Sequence, residues 1–200
     1  MADKYGTTPD PYTYKNSTVL VNKLNIKNEA ILEAAERDLT TLAAMYLEFQ
    51  LPPYDFTYLS LIHRILFSDL FEWAGTLRTI DISKGNTRFC NVVRIEKEAN
   101  SLFSMLEKDK YLVDLPYDEF LTKLAEYYCD INVLHPFREG NGRAQRLLFE
   151  HIAINCGYNI NFSGVTSEQW VAANIHGYHC NYIPMKELFL VCVTKAEKRS

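Results

Sequence analysis

A mainly α fold, of about seven to nine helices with one short β-hairpin, is predicted by three observations. Apolar residues recur at helical spacing through most of the chain, and residues that start and stop helices bracket those stretches. The helical period disappears in one place, between Thr79 and Ile95, around the turn residues Lys84-Gly85-Asn86. With 200 residues and no Pro-, Gly- or Ser-rich divider, a single domain over 1–200 is the simplest organisation.

Residues 1–25 are polar, with Pro9, Pro11 and several tyrosines, and read as an N-terminal arm with a short helical piece around Val19 to Leu24. Asn28 then caps a helix that carries Ile31, Leu32, Ala35, Leu39, Leu42, Ala43 and Tyr46 and runs to Gln50 or Leu51, where Pro52-Pro53 ends it. Asp55 caps the next, with Leu59, Ile62, Leu66, Leu70 and Trp73 inward and Gly75 as its stop. His63 on this helix reads as a packing or hydrogen-bonding histidine, because no second ligand-type residue stands four positions on.

In the non-helical stretch 79–95, Ile80 and Ile82, then Phe89, Val92 and Val93, flank the turn. Two readings fit: a hairpin of about fifteen residues whose open edge pairs with an extended segment of another protein, or an irregular connection. Glu96 to Leu106 is helical again, and from Pro116 another helix carries Phe120, Leu124, Tyr127, Tyr128, Ile131 and Leu134 inward until Pro136 stops it. The following helix, with Leu147, Leu148, Phe149, Ile152, Ala153 and Ile154, is apolar nearly all round and ends at Gly157, which marks it as central and buried. Thr166 to Gln169 resembles a capping box before Trp170 to Tyr178, and Pro184 opens a last helix through Leu188, Leu190, Val191 and Val193. His176 and His179 are interrupted by Gly177 and have no carboxylate near, so they do not read as a metal site.

A net charge of −4 argues against a nucleic-acid or membrane-surface binder, whose footprint would be basic. The five cysteines are odd in number and lack C-x-x-C pairing, so they read as reduced thiols. Neither a signal peptide nor an apolar run of membrane length is apparent, and a soluble, cytoplasmic protein is the expectation.

The chemistry is concentrated in His135-Pro136-Phe137-Arg138-Glu139-Gly140-Asn141-Gly142-Arg143-Ala144-Gln145-Arg146. A side chain able to act as a base near neutral pH, a carboxylate and an amide sit on a turn made flexible by Gly140 and Gly142. The turn opens directly into the apolar helix, and a helix N-terminus with its unpaired N–H groups can wrap a phosphate. Arg143 and Arg146 share a face and lean back toward the bound anion. One carboxylate, Glu139, among Arg138, Arg143 and Arg146 suits Mg2+, which takes one or two carboxylates plus substrate phosphates.

These residues resemble the signature of Fic-domain proteins, H-x-F-x-D/E-G-N-G-R-x-x-R, at every specified position. The similarity extends outward through Asp10-Pro11-Tyr12 and Phe71-Glu72-Trp73-Ala74-Gly75-Thr76-Leu77-Arg78. It implies the Fic fold, with the hairpin as a flap on which a target protein docks through Ile82, Ser83, Lys84, Gly85, Asn86, Thr87 and Arg88. The activity it implies is transfer of AMP from ATP, with Mg2+, to a hydroxyl of a target protein. His135 would take the hydroxyl proton, Glu139 would hold Mg2+, and Asn141 would steady the α-phosphate. Backbone N–H groups of Gly140 to Arg143 would form the anion hole, with Arg143 and Arg146 on the β- and γ-phosphates and Phe137 as a core anchor.

Many Fic proteins carry an inhibitory helix of pattern S/T-x-x-x-E-G/N. Here the only Glu followed by Gly or Asn is Glu139 itself, so the chain resembles compact bacterial Fic toxins whose inhibitor is a separate small antitoxin. That implies a partner supplying a Glu to Arg146, and bacterial DNA gyrase or topoisomerase IV as first target candidates. Transfer of phosphate or UMP on the same scaffold is the nearest alternative. Related Doc proteins, which phosphorylate, carry Lys where this chain has Gly142. A Fic module that holds nucleotide or a partner through its flap without chemistry is the alternative from another class.

Overall fold

Capping chemistry starts the helices where the sequence places their caps. The structure, a computed structural model, describes residues 10–85 and 87–196, so the first nine residues of the arm and Asn86 of the flap lie outside the described residues. The Asn28 side chain accepts the N–H of Ile31 at the start of α1 (Glu29–Met45), and that of Asp55 accepts the N–H of Tyr58 in α2 (Phe56–Phe67). After a small hairpin, β1 (Ser83–Lys84) and β2 (Thr87–Arg88), come α3 (Ile95–Lys108), α4 (Tyr117–Leu134), which follows Pro116, and α5 (Asn141–Asn155). Strand β3 (Tyr158–Ile160), α6 (Ser167–Tyr178), α7 (Ile183–Cys192) and β4 (Val193–Lys195) complete the order. Thr166 and Gln169 form the expected reciprocal capping box on α6. The chain is thus mainly helical with a hairpin, as its periodicity predicts.

Helix α5 occupies the centre. Ala144, Leu148, Phe149, Ile152 and Ala153 are all 0% exposed, and the helix packs on α2, α4 and β3. Helix α4 in turn packs on α3, α6 and α7. The inward residues expected on α4, from Phe120 to Leu134, are all buried. Both helices that frame the His135 to Arg146 loop are therefore anchored along their length.

Several boundaries differ from expectation. Helix α1 stops at Met45, because Met45, Tyr46 and Leu51 are 78%, 78% and 71% exposed and have no surface to cover. Its buried positions are Leu32 and Thr40, whereas Ile31 and Leu42 face outward. Helix α2 stops at Phe67, and Leu70 and Phe71 are buried from turns instead. Val19 and Leu20 are buried without forming a helix: Thr13 bridges to Leu20, and Asn22 accepts the N–H of Ile26 (2.9 Å) while donating to Leu20 O (2.9 Å). The hairpin spans only Ser83 to Arg88, with Ser83 opposite Arg88 and Lys84 opposite Thr87. Val92 and Val93 are in a 3-10 turn capped by Asn91 rather than in a strand. A second antiparallel pair, β3 with β4, was not anticipated. No described helix is long and apolar enough to cross a membrane, and all five cysteines are free.

One close approach fixes how α6 meets α4. A Cβ added at Gly177 would lie 2.3 Å from Cys129 Sγ and 2.7 Å from its Cβ. In an open helix Gly→Ala would stabilise by about 1 kcal/mol. Here Gly177→Ala is expected to destabilise by about 1–3 kcal/mol through overpacking, and a Cys129→Ala partner should recover only part of it, because the 2.7 Å approach to the residue 129 Cβ remains. Urea denaturation of the two single variants and the double variant checks this; a neutral Gly177→Ala would mean the helices are free to separate.

Candidate functional site

Two left-handed residues turn the chain between α4 and α5: His135 (φ 42°) at the end of one and Gly140 (φ 80°) at the start of the other. Gly140 cannot be replaced without strain, because an added Cβ would lie 2.2 Å from Phe67 Cζ as well as facing the positive φ. His135, a non-glycine residue, costs about 1–2 kcal/mol in that conformation and needs outside support. Arg78 gives it, donating from Nε to His135 O (2.8 Å) and from its own backbone N–H to Pro136 O (2.9 Å).

The middle of the loop is held from beneath. Phe137 is fully buried and stacks on His63, with ring centroids 3.9 Å apart. His63 accepts the Gly75 N–H at Nδ1 (2.9 Å), so its proton is on Nε2, from which it donates to Glu139 O (2.9 Å). Asn141 closes the loop on itself: Oδ1 accepts the Phe137 N–H and Nδ2 donates to Phe137 O, both at 2.8 Å. Arg138, only 2% exposed, donates from Nε to Asp10 Oδ2 (2.9 Å), which ties the N-terminal arm to the loop. The arm's Tyr12 accepts the Thr79 N–H (2.9 Å) and packs edge-on against Trp73.

Above this support lies a cavity of about 350 Å³ that brings together His135, Glu139, Asn141, Gly142 and Arg146, with Lys84, Gly85 and Thr87 of the hairpin on one side. Trp170 and Asn174 of α6 close the other side. Nδ1 of His135 meets the carbonyl of Asn132 (3.2 Å) and therefore carries the proton, which puts the basic lone pair on Nε2. The ring stacks on Phe89 at 3.8 Å and 14°. Burial lowers the His135 pKa to about 4, assisted by Arg78 and Lys84 and opposed by the Asn132 carbonyl and Glu139. The imidazole is thus neutral at physiological pH, as a general base must be.

Other expected members are placed differently. Arg143 does not lean toward this cavity but pairs with Glu36 of α1, donates to Thr40 Oγ1 (3.2 Å) and lies over the Phe67 ring at 4.8 Å. A half-buried carboxylate alongside is a stronger partner than solvent. Asn141 commits both amide atoms to Phe137, so it shapes the loop. Of the expected anion hole, the Gly140 N–H is taken by Glu139 Oε1 (3.0 Å) and the Arg143 N–H turns back to Gly140 O (3.1 Å). The N–H groups of Asn141 and Gly142, in the first turn of α5, have no intrahelical acceptor. Within the hairpin, Ile82 is 2% exposed and packs with Phe89 as an anchor, whereas Arg88 approaches Asp81 (3.4 Å).

Sequence reasoning missed Phe89, Trp170 and Asn174 as cavity residues. Asn174 donates to Trp170 O (2.8 Å), and its Oδ1 is buried with no hydrogen-bond partner among the described residues. That unmet acceptor beside a cavity has no signal in the sequence. No group of three or more His, Cys, Asp or Glu among the described residues is arranged to hold a metal.

The family model described as Fic/DOC family matches residues 53–153. The chain is 42% identical over 196 residues to the "Probable protein adenylyltransferase Fic" of Escherichia coli (strain K12), covering 98% of each. It is 35% identical to the "Protein adenylyltransferase VbhT" of Bartonella schoenbuchensis, covering 89% of this chain and 38% of that one. Among solved structures, BepC of Bartonella tribocorum with bound AMPPNP superposes with a TM-score of 0.88 at 30% identity, covering 93% of this chain and 97% of that one. The N-terminal Fic domain of a Bartonella quintana effector with bound ADP does so with a TM-score of 0.88 at 33% identity, covering 93% and 95%.

Desolvation by the Phe89 stack should be visible in the titration of His135. Histidine NMR titration of the native protein is expected to show His135 neutral well below its ordinary value of about 6.5. Phe89→Ala opens the ring to water and should move the midpoint up toward that value. An unmoved midpoint would remove the Phe89 stack as the source of desolvation.

Proposed function

The chain belongs to the Fic/DOC family, and from that premise we propose that it is a protein adenylyltransferase that transfers AMP from ATP to a hydroxyl side chain of a target protein. The observation that carries this reading is the His135 ring: held through Nδ1 by the Asn132 carbonyl, it shares one cavity with Glu139, Arg146 and the α5 N-terminus. The hydroxyl oxygen attacks the α-phosphorus as its proton passes to Nε2. The bond to the bridging oxygen breaks, and pyrophosphate leaves. The N–H groups of Asn141 and Gly142 and the guanidinium of Arg146 stabilise phosphate charge at the positive end of α5.

Glu139 suits Mg2+: it is a hard oxygen donor on the cavity wall and would hold the ion together with nucleotide phosphates and water. When bound, the ion would neutralise phosphate charge.

The hairpin supplies the docking edge for the target, with Lys84, Gly85 and Thr87 on the cavity side. The test is intact-mass analysis of bacterial lysate proteins, DNA gyrase and topoisomerase IV first, incubated with ATP, Mg2+ and this protein beside a His135→Ala control. The expected result is a gain of one AMP, reduced at least ~10²-fold in the control. A gain of one phosphate would place the chain with the phosphorylating relatives, and no gain with any nucleotide would make it a binding module.

We further infer a separate inhibitory protein that brings a Glu to Arg146. Arg146 borders a second cavity, of about 520 Å³, walled by Thr40, Thr41, Ala44 and Met45 of α1 together with Arg143. The exposed apolar residues Leu42, Met45 and Tyr46 beside it suit a helix laid against α1. Expression of the chain alone in bacteria is expected to arrest growth in a manner that requires Arg146; harmless expression of an active protein would count against a toxin role.

A further inference from the structure

Arg78 takes no part in the transfer step, yet its buried side chain, 0% exposed, joins three segments beside the site. Nε donates to His135 O (2.8 Å), Nη1 to Ile80 O (2.6 Å) before β1, and Nη2 to Cys90 O after β2, with Leu134 O at 3.5 Å. The backbone N–H holds Pro136 O (2.9 Å). The end of α4, the entry to the hairpin and its exit thus meet on one planar fork. The carboxylate of Asp81 stands 3.9 Å away, and the carbonyls at the negative end of the α4 dipole supply the rest of the favourable field.

The joint sets a geometry that chemistry requires. Phe89, which stacks on His135, is adjacent to Cys90, whose carbonyl Arg78 holds and whose N–H bonds Val133 O (2.9 Å). A lysine in the same place has a single ammonium and cannot span three segments. Resting on the adenylyltransferase reading above, we propose that Arg78 is a positioning residue for transfer. It locks the flap against His135, so that a target segment docked on the hairpin presents its hydroxyl to Nε2. The effect acts through His135 and the flap; Arg78 itself touches neither nucleotide nor target.

The test compares Arg78→Lys, and Asp81→Asn as a gentler variant, with the native full chain. Asp81 secures the hairpin base from the other side, accepting from Asn91 Nδ2 (2.7 Å) and the Val92 N–H (2.8 Å). In Arg78→Lys, amide hydrogen exchange across residues 80–92 is expected to rise at least about ten-fold while α5 keeps its protection. ATP affinity by calorimetry should hold within about two-fold, because the α5 N-terminus is intact. The kcat for AMP transfer to the acceptor found by lysate labelling should fall about 10²-fold, the cost of a misplaced reacting group. Asp81→Asn should raise KM for that acceptor with kcat little changed, and this split decides the matter if Arg78→Lys does not fold.

Unchanged flap exchange in Arg78→Lys overturns the proposal. So does a parallel loss of α5 protection, ATP binding and transfer, which would make Arg78 merely structural. If the native protein labels no acceptor, the adenylyltransferase reading fails by itself, and the exchange pattern still decides whether Arg78 couples the flap to His135.

Discussion

The loop that carries the chemistry rests on one neutral imidazole. His63 is fully buried in α2, stacked between Phe137 at 3.9 Å and Phe67 at 4.6 Å, and both its nitrogens are spent on backbone: Gly75 N–H on one side, Glu139 O on the other. Burial lowers its pKa to about 4, with Arg143 adding slightly and the Glu139 carbonyl and carboxylate opposing. A second proton would set N–H against the Gly75 N–H, so the geometry demands the neutral ring. Through that ring α2 fixes the signature loop and the turn that leads toward Arg78 and the flap. Remove it, and the left-handed Gly140, the Phe137 anchor and the Glu139 carbonyl lose their common reference.

Two histidines with lowered pKa values near 4 therefore stand on either side of the same loop with opposite assignments. Their ionisation does not separate them, since burial is the main cause in both. Orientation does. His63 spends both nitrogens on backbone beneath the loop, whereas His135 holds the Asn132 carbonyl through Nδ1 and lines the cavity. A pKa alone does not separate the two; the hydrogen-bond partners show His63 spent on backbone through both nitrogens and His135 lining the cavity.

What was legible in the sequence was whatever local interactions decide. Asn28, Asp55 and the Thr166–Gln169 pair cap helices because their side chains reach N–H groups three residues away, and this needs no tertiary information. The twelve-residue signature was legible because its residues form one continuous turn and helix start. Three of the misreadings involve distant partners. Val19 and Leu20 bury themselves on the core from an extended arm, so their apolar character was mistaken for a helical stripe. Strands β3 and β4 pair across α6 and α7, and neither alone exceeds three residues. Arg78 reads locally as a charged loop residue, and only the folded chain reveals the carbonyls it serves.

Arg143 shows what such distant pairing does to a site. Two arginines one helical turn apart suggested a double clamp for phosphates, but the first is neutralised by Glu36 and held over Phe67. The cavity beside His135 is therefore left with Arg146, Lys84 and the α5 dipole as positive elements, against the Glu139 carboxylate. That balance is too small for a triphosphate, whose charge exceeds what one guanidinium, one ammonium and a half-charge of dipole offset. Two adjustments would restore it within the residues present: Glu139 recruiting a divalent cation, and Arg143 exchanging Glu36 for phosphate. The second links α1 to nucleotide occupancy, because the carboxylate released by Arg143 belongs to the helix whose outer face borders the second cavity. A nucleotide bound at Arg146 would thus act on a charge network that reaches α1.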